Sequence, residues 1–219
     1  MFQFYTEIQM TAFNQIFNFV IYMSAKYNID ESHGLSHSMN VLNFANNIFE
    51  SEKVRKPYLN SQEHIIYAAA ALHDMCDKKY MNEKEGVCEI SEFLKESINY
   101  TPEDINAVKA IVTTMSYSTV KKNGFPELGV FQPCYHIVRE ADLLSAYDFD
   151  RCMIYKMKTQ DMTLEDAFID ADDLFSKRVL KHNEDNLFVT NYSKTLSRSL
   201  ELVAHDRIQT WRRLLKIYL

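Results

Sequence analysis

Apolar residues recur along this chain at spacings of three and four, with polar positions between them. Each such stretch reads as one face of an amphipathic helix. Helical patterns run over about 4–26, 36–51, 82–97, 134–146, 149–159 and 191–217. Three further helices are announced by their starts. Asn60-Ser61-Gln62-Glu63 has the form of a capping box opening a helix to about Cys76. Thr101-Pro102-Glu103-Asp104 adds proline at the first helical position, and Thr163-Leu164-Glu165-Asp166 opens another. The stretch 117–133 has no clear period. It carries Asn123-Gly124-Phe125-Pro126 and Pro133, and is expected to be a loop of a length often functional in compact domains. The pattern therefore predicts about nine helices and no sheet.

Composition agrees. Only 4 Gly and 4 Pro occur in 219 residues, too few turn-makers for a many-stranded sheet, so an all-α helical bundle in a single domain spanning 1–219 is expected. The apolar FNQIFNFVIYMSA near the start is interrupted by Asn and Gln, follows Glu7 and is shorter than a membrane span requires. It reads as the first core helix. A net charge of −6 supplies no basic footprint for a nucleic acid partner. Cys76, Cys88, Cys134 and Cys152 show no CxxC spacing, which suits reduced thiols in a cytoplasmic setting.

Candidate chemistry arises where three helices each turn a metal-competent residue toward the core. His37 begins a stripe continued by Val41, Phe44, Ala45 and Ile48. Ile65, Ala69 and Leu72 lead onto His73 with Asp74 beside it, and Val138, Ala141 and Ser145 flank Asp142. Inward carboxylates without partners cost several kcal/mol or stay protonated, so two of them call for compensating positive charge. One divalent cation held by His37, His73, Asp74 and Asp142 provides it. Mixed nitrogen and oxygen donors suit Mn above all, with Fe, Co, Ni, Zn or Mg as alternatives, and leave positions open for water or substrate. Only His136 lies between the HD pair and Asp142, too little for a second metal. The other HD dipeptide, His205-Asp206, has no accompanying ligands and reads as ordinary surface.

The ordered set His, then His-Asp, then Asp, in the words HGLSHSMNVLNFA, AAAALHDMCDKKY and VREADLLSA, resembles the HD-domain superfamily of metal-dependent phosphohydrolases. The C-terminal FSKRVLKHNEDNLFVTNYSKTLSRSLELV is similar to that of bacterial single-domain members, so the likeness covers most of the chain. It implies an all-α fold of the HD type with one metal on the four residues above, hydrolysing a phosphate ester or anhydride of a small phosphorylated substrate, a nucleotide by preference. His37 of the HxxxH pair would bind metal, and His33 would contact the substrate phosphate or act as an acid, unless it merely enters the helix. Asp77 would be the general base acting on water, unless it only pairs with Lys78 or Lys79. HDMCDKK is similar to an HDxxDxK subgroup that includes nucleoside triphosphate pyrophosphohydrolases, which makes Lys79, and less so Lys78, candidates for substrate phosphate. Ser116-Tyr117-Ser118 and Arg178 resemble that subgroup too, with surface or packing roles as the alternative. Where bacterial relatives often read ADRLDALGA, this chain has ADLLSAYDF, so Leu143 and Ser145 replace polar residues, and Asn40 stands where HxxRV has its Arg. These departures bear on substrate identity and keep open a non-catalytic nucleotide-sensing protein on the same fold.

Overall fold

A computed structural model describes residues 2–217, with side chains from Ala12 onward. Among the described residues there are ten α-helices and no strand, forming one domain. They are α1 (Phe2–Tyr27), α2 (Leu35–Lys53), α3 (Glu63–Leu72), α4 (Glu83–Glu96), α5 (Pro102–Thr114), α6 (Tyr117–Asn123), α7 (Gln132–Ser145), α8 (Phe149–Gln160), α9 (Leu164–Lys177) and α10 (Asn191–Leu215). None of the described helices is long and apolar enough to cross a membrane. The apolar segment near the start is a core helix, as its pattern predicts: Ile16, Val20 and Met23 of α1 are buried in register. All four cysteines are free thiols.

The centre is built from α2, α3 and α7. Helix α2 packs against both α3 and α7, and α3 packs against α7 and α5. From Ile65 to Leu72 every residue of α3 is buried, and its run Ala68-Ala69-Ala70-Ala71 has no bulk to hold neighbouring helices away. Helix α7 is buried on nearly all sides and carries two fully buried ionisable residues, Arg139 and Glu140. Glu140 accepts hydrogen bonds from the backbone N–H of Val189 at 2.6 Å and the hydroxyl of Thr190 at 2.6 Å. Arg139 donates to the carbonyl of Leu187 at a short distance and lies over the rings of Phe125 and Tyr135. The two residues thus fasten segment 187–190, and with it the N-cap of α10, onto α7.

The structure corrects three expectations. The Asn60–Glu63 capping box does not form: Pro57–Gln62 is a 3₁₀ helix, Asn60 donates to the carbonyl of Pro57, and α3 starts without a side-chain cap. Proline at 57 opens a tighter turn that absorbs the polar residues meant for the cap. The helix expected to reach Cys76 ends at Leu72, and tighter turns follow, with the N–H of Asp77 on the carbonyl of Asp74 at 3.1 Å. The stretch 117–133 is not all loop. Ser116 caps the seven-residue α6, which Gly124 ends at a positive φ of 76°, and this raises the count from nine to ten. By contrast, Thr101 makes its full capping box and Thr163 caps α9, as their motifs predict.

Candidate metal centre

His37 lies in the first turns of α2, where Val41, Ala45 and Ile48 continue its buried face. His73 and Asp74 lie just past the last turn of α3, and Asp142 is on α7 near its end. Because α2, α3 and α7 are the packed centre of the domain, three separate parts of the chain bring their polar groups to one place. His37 Nε2 and His73 Nε2 are 3.1 Å apart. Asp74 Oδ2 is 3.3 Å from the first and 3.4 Å from the second. Asp142 Oδ1 stands outside this closest trio but reaches the same two nitrogens, at 3.5 and 3.7 Å.

These separations fit a shared cation. Nitrogen and oxygen ligands about 2.1 Å from a metal are about 3.0 Å apart at right angles and about 3.4 Å apart at tetrahedral angles. Asp74 Oδ2 is buried and has no hydrogen-bond partner, an orphaned acceptor that a cation would satisfy. His73 Nδ1 is 2.9 Å from the carbonyl of Ala70, which holds a ring proton on that nitrogen and turns Nε2 to the centre. Burial by itself disfavours charge on His73, Asp74 and Asp142. The neighbouring imidazoles nevertheless hold the Asp74 and Asp142 carboxyls well below the usual carboxylate range. Their negative charge in turn raises His73 well above the ordinary histidine value. Without a cation the cluster sets a protonated His73 against ionised carboxylates; a metal would displace that proton from His73 Nε2 and take over its positive charge.

The centre forms part of the wall of a cavity of about 350 Å³, within the range of small-molecule sites. Asp77, Lys78, Lys79 and His33 line it as well. Asp77 arrives there through the tight turns after α3 rather than on a helical face. Its Oδ1 accepts from the backbone N–H of Lys79 at 2.9 Å, and its Oδ2 is 3.5 Å from the Lys79 ammonium, so the pairing with lysine is present too. The Lys79 ammonium also meets His33 Nε2 at 3.2 Å. An ammonium has no lone pair, so His33 Nε2 accepts and its ring proton sits on Nδ1. Nδ1 faces Ser32 Oγ at 2.8 Å and Tyr80 Oη at 3.0 Å, and Tyr80 donates in turn to Asp30 at 2.6 Å. Burial first, then Lys79, His37 and Arg151, lower the His33 pKa below its ordinary value, although Asp74 opposes them.

Ser116, Tyr117, Ser118 and Arg178 line the same cavity, with the Arg178 guanidinium 4.4 Å from the centre of the Tyr117 ring. Leu143 is a buried part of its wall, and Ser145 Oγ donates to the carbonyl of Asp142 at 2.8 Å. His205 and His136 take no part, and His205-Asp206 lies exposed on α10. Sequence reasoning missed Arg151, in the first turn of α8. Its Nη1 donates to the carbonyl of Ser32 at 3.0 Å and makes a short contact with His37 Nδ1. No local motif marks it, because its neighbours in space lie more than a hundred residues away in the chain.

No family model matches the chain, and no curated protein does. The fold is similar to that of a protein from Lactobacillus plantarum whose crystal structure was determined as a Northeast Structural Genomics target. The TM-score is 0.69 at 21% identity, over 94% of this chain and 97% of that one. At that identity the likeness concerns the fold alone.

Proposed function

We propose that this protein is a metal-dependent phosphohydrolase of the HD-domain type, cleaving a phosphate ester or anhydride of a small molecule, most readily a nucleotide. The observation that carries the reading is the approach of His37, His73, Asp74 and Asp142 to one point in the wall of a cavity that also presents Asp77 and Lys79. A divalent cation on those four residues, Mn by preference, would polarise a phosphoryl oxygen and acidify a water molecule there. Asp77, in the wall of the same cavity, would orient that water and take its proton. Lys79 supplies a mobile positive charge for phosphoryl oxygens, and Lys78, exposed beside it, adds to the field. His33, neutral and accepting at Nε2, is suited to hydrogen-bond the substrate when Lys79 turns to phosphate, rather than to act as an imidazolium acid. The Asp30–Tyr80 pair fixes its ring.

The test is a screen for phosphate and pyrophosphate release over nucleotides with Mn, Co, Mg and Ni, with Asp74→Ala as control. Release that Asp74→Ala abolishes supports the reading, and an undiminished rate in metal-defined buffer overturns it. Binding of metal and nucleotide with no release from any substrate would favour the sensing protein instead.

A further inference from the structure

Resting on the hydrolase reading, we propose that Arg151 is a substrate-binding residue that holds the oxygens of a phosphoryl group beside the metal centre. Its side chain donates through one nitrogen, Nη1, to the carbonyl of Ser32; the same nitrogen lies close to His37 Nδ1, a contact that must open when His37 Nε2 binds a metal and the ring proton moves to Nδ1. Among the described residues its Nη2 and Nε have no protein partner, and no carboxylate pairs with it. Other guanidiniums of this protein are treated differently: Arg207 is held by Asp150, and Arg212 by Asp172. A guanidinium forms its strong contacts through its fork, two N–H groups side by side on carboxylate or phosphate. Arg151 lines the cavity with one nitrogen anchored to the carbonyl of Ser32.

Its position is fixed at the base as well. Asp148 caps α8 and accepts from the backbone N–H of Arg151 at 3.1 Å, so the side chain leaves from a defined first turn. Four residues on, Tyr155 lies on the same face of α8, lines the same cavity and sets its ring 5.4 Å from that of His33. Helix α8 therefore flanks the His33–His37 pair, with the guanidinium against His37 and the phenol against His33. A phosphoryl group reaching the four metal-competent residues from the cavity has Arg151 beside it, with donors unspent.

The experiment measures binding of orthophosphate and pyrophosphate by calorimetry to the Mn-reconstituted full chain, in wild type, Arg151→Gln and Arg151→Lys, with metal content determined for each. Loss of a charge-assisted hydrogen bond should weaken binding roughly 10- to 100-fold in Arg151→Gln. Arg151→Lys should recover part of the loss, and metal content should stay unchanged. Steady-state kinetics on a substrate from the nucleotide screen should show the same loss in KM, partly rescued by added guanidinium ion. Equal affinity in wild type and Arg151→Gln, no binding to wild type, or loss of metal together with the anion would each overturn the proposal. If no nucleotide is hydrolysed while phosphate binding still depends on Arg151, the hydrolase reading fails and the anion site stands.

Discussion

His37 Nε2 and His73 Nε2 stand 3.1 Å apart although 36 residues separate them in the chain, and a carboxylate oxygen of Asp74 lies within 3.4 Å of both. Two buried imidazoles beside ionised carboxylates form a candidate donor set, and the first prediction concerns it. Asp74→Asn keeps the shape and removes the charge. It should leave the protein without stoichiometric Mn after reconstitution and lower phosphate release at least about 100-fold, since even partners outside the ligand set cost roughly 10- to 100-fold. Elemental analysis beside the rate assay checks both. Full metal content in this variant would remove the basis for the centre.

Asp77→Asn is expected to separate proton transfer from metal binding. The backbone turn after α3 and the contact with the N–H of Lys79 survive in the amide, so the metal should remain. The rate should fall by roughly 10²- to 10⁴-fold, the usual contribution of a positioned base. A rate close to wild type would assign Asp77 to its pairing with Lys79 alone.

Gly86 on α4 offers a stability test near the site. A Cβ there would lie 2.8 Å from the Cα of Cys76 and 2.7 Å from the sulfur of Met81. The methionine can move; the backbone of Cys76, two residues past Asp74, cannot do so freely. Overpacking of this kind costs about 1–3 kcal/mol, against about 1 kcal/mol returned by the better helix propensity of alanine. Gly86→Ala should therefore lose up to about 2 kcal/mol in urea unfolding and bind Mn more weakly. An unchanged midpoint would show that the turn after α3 yields.

His182 governs acid stability. It is fully buried, both ring nitrogens lack hydrogen-bond partners, and the rings of Tyr117, Tyr147 and Phe188 surround it. Burial, reinforced by Arg178, lowers its pKa from 6.5 to about 4. As pH falls, the unfolded chain takes up this proton first, so the stabilisation is full above pH 6.5 and is lost between there and pH 4. At about 1.4 kcal/mol per pH unit the loss approaches about 3 kcal/mol. His182→Phe should match or exceed wild-type stability at pH 7 and show a shallower decline down to pH 4, measured by urea unfolding at several pH values. An identical pH dependence would exclude this histidine as the source.

The contrast between what was legible in the sequence and what was not has a physical basis. Thr101 and Thr163 could be read because a capping hydroxyl meets a backbone N–H only three residues on. His37, His73, Asp74 and Asp142 could be read because helical spacing put each beside apolar residues that had to be buried, and unpartnered charge has no place there. The 3₁₀ turn at Pro57–Gln62 was illegible because its residues also satisfy the capping-box pattern, and tertiary packing decided between them. Helix α6 was hidden by its seven residues, two turns at most, next to Gly124 and Pro126. Arg151 was out of reach for a different reason: its meaning lies in Ser32 and His37, and only the folded chain brings α8 to them.

Glu140 and Asp142 are two positions apart on α7, about 200° around the helix, so they project to nearly opposite sides. One grips the entrance to the final helix while the other faces the donor cluster. Cutting the protein before Val189 would therefore do more than shorten it. It would strip the Val189 and Thr190 partners from a carboxylate sealed in the middle of the domain, two residues from Asp142, and turn a remote deletion into damage at the centre.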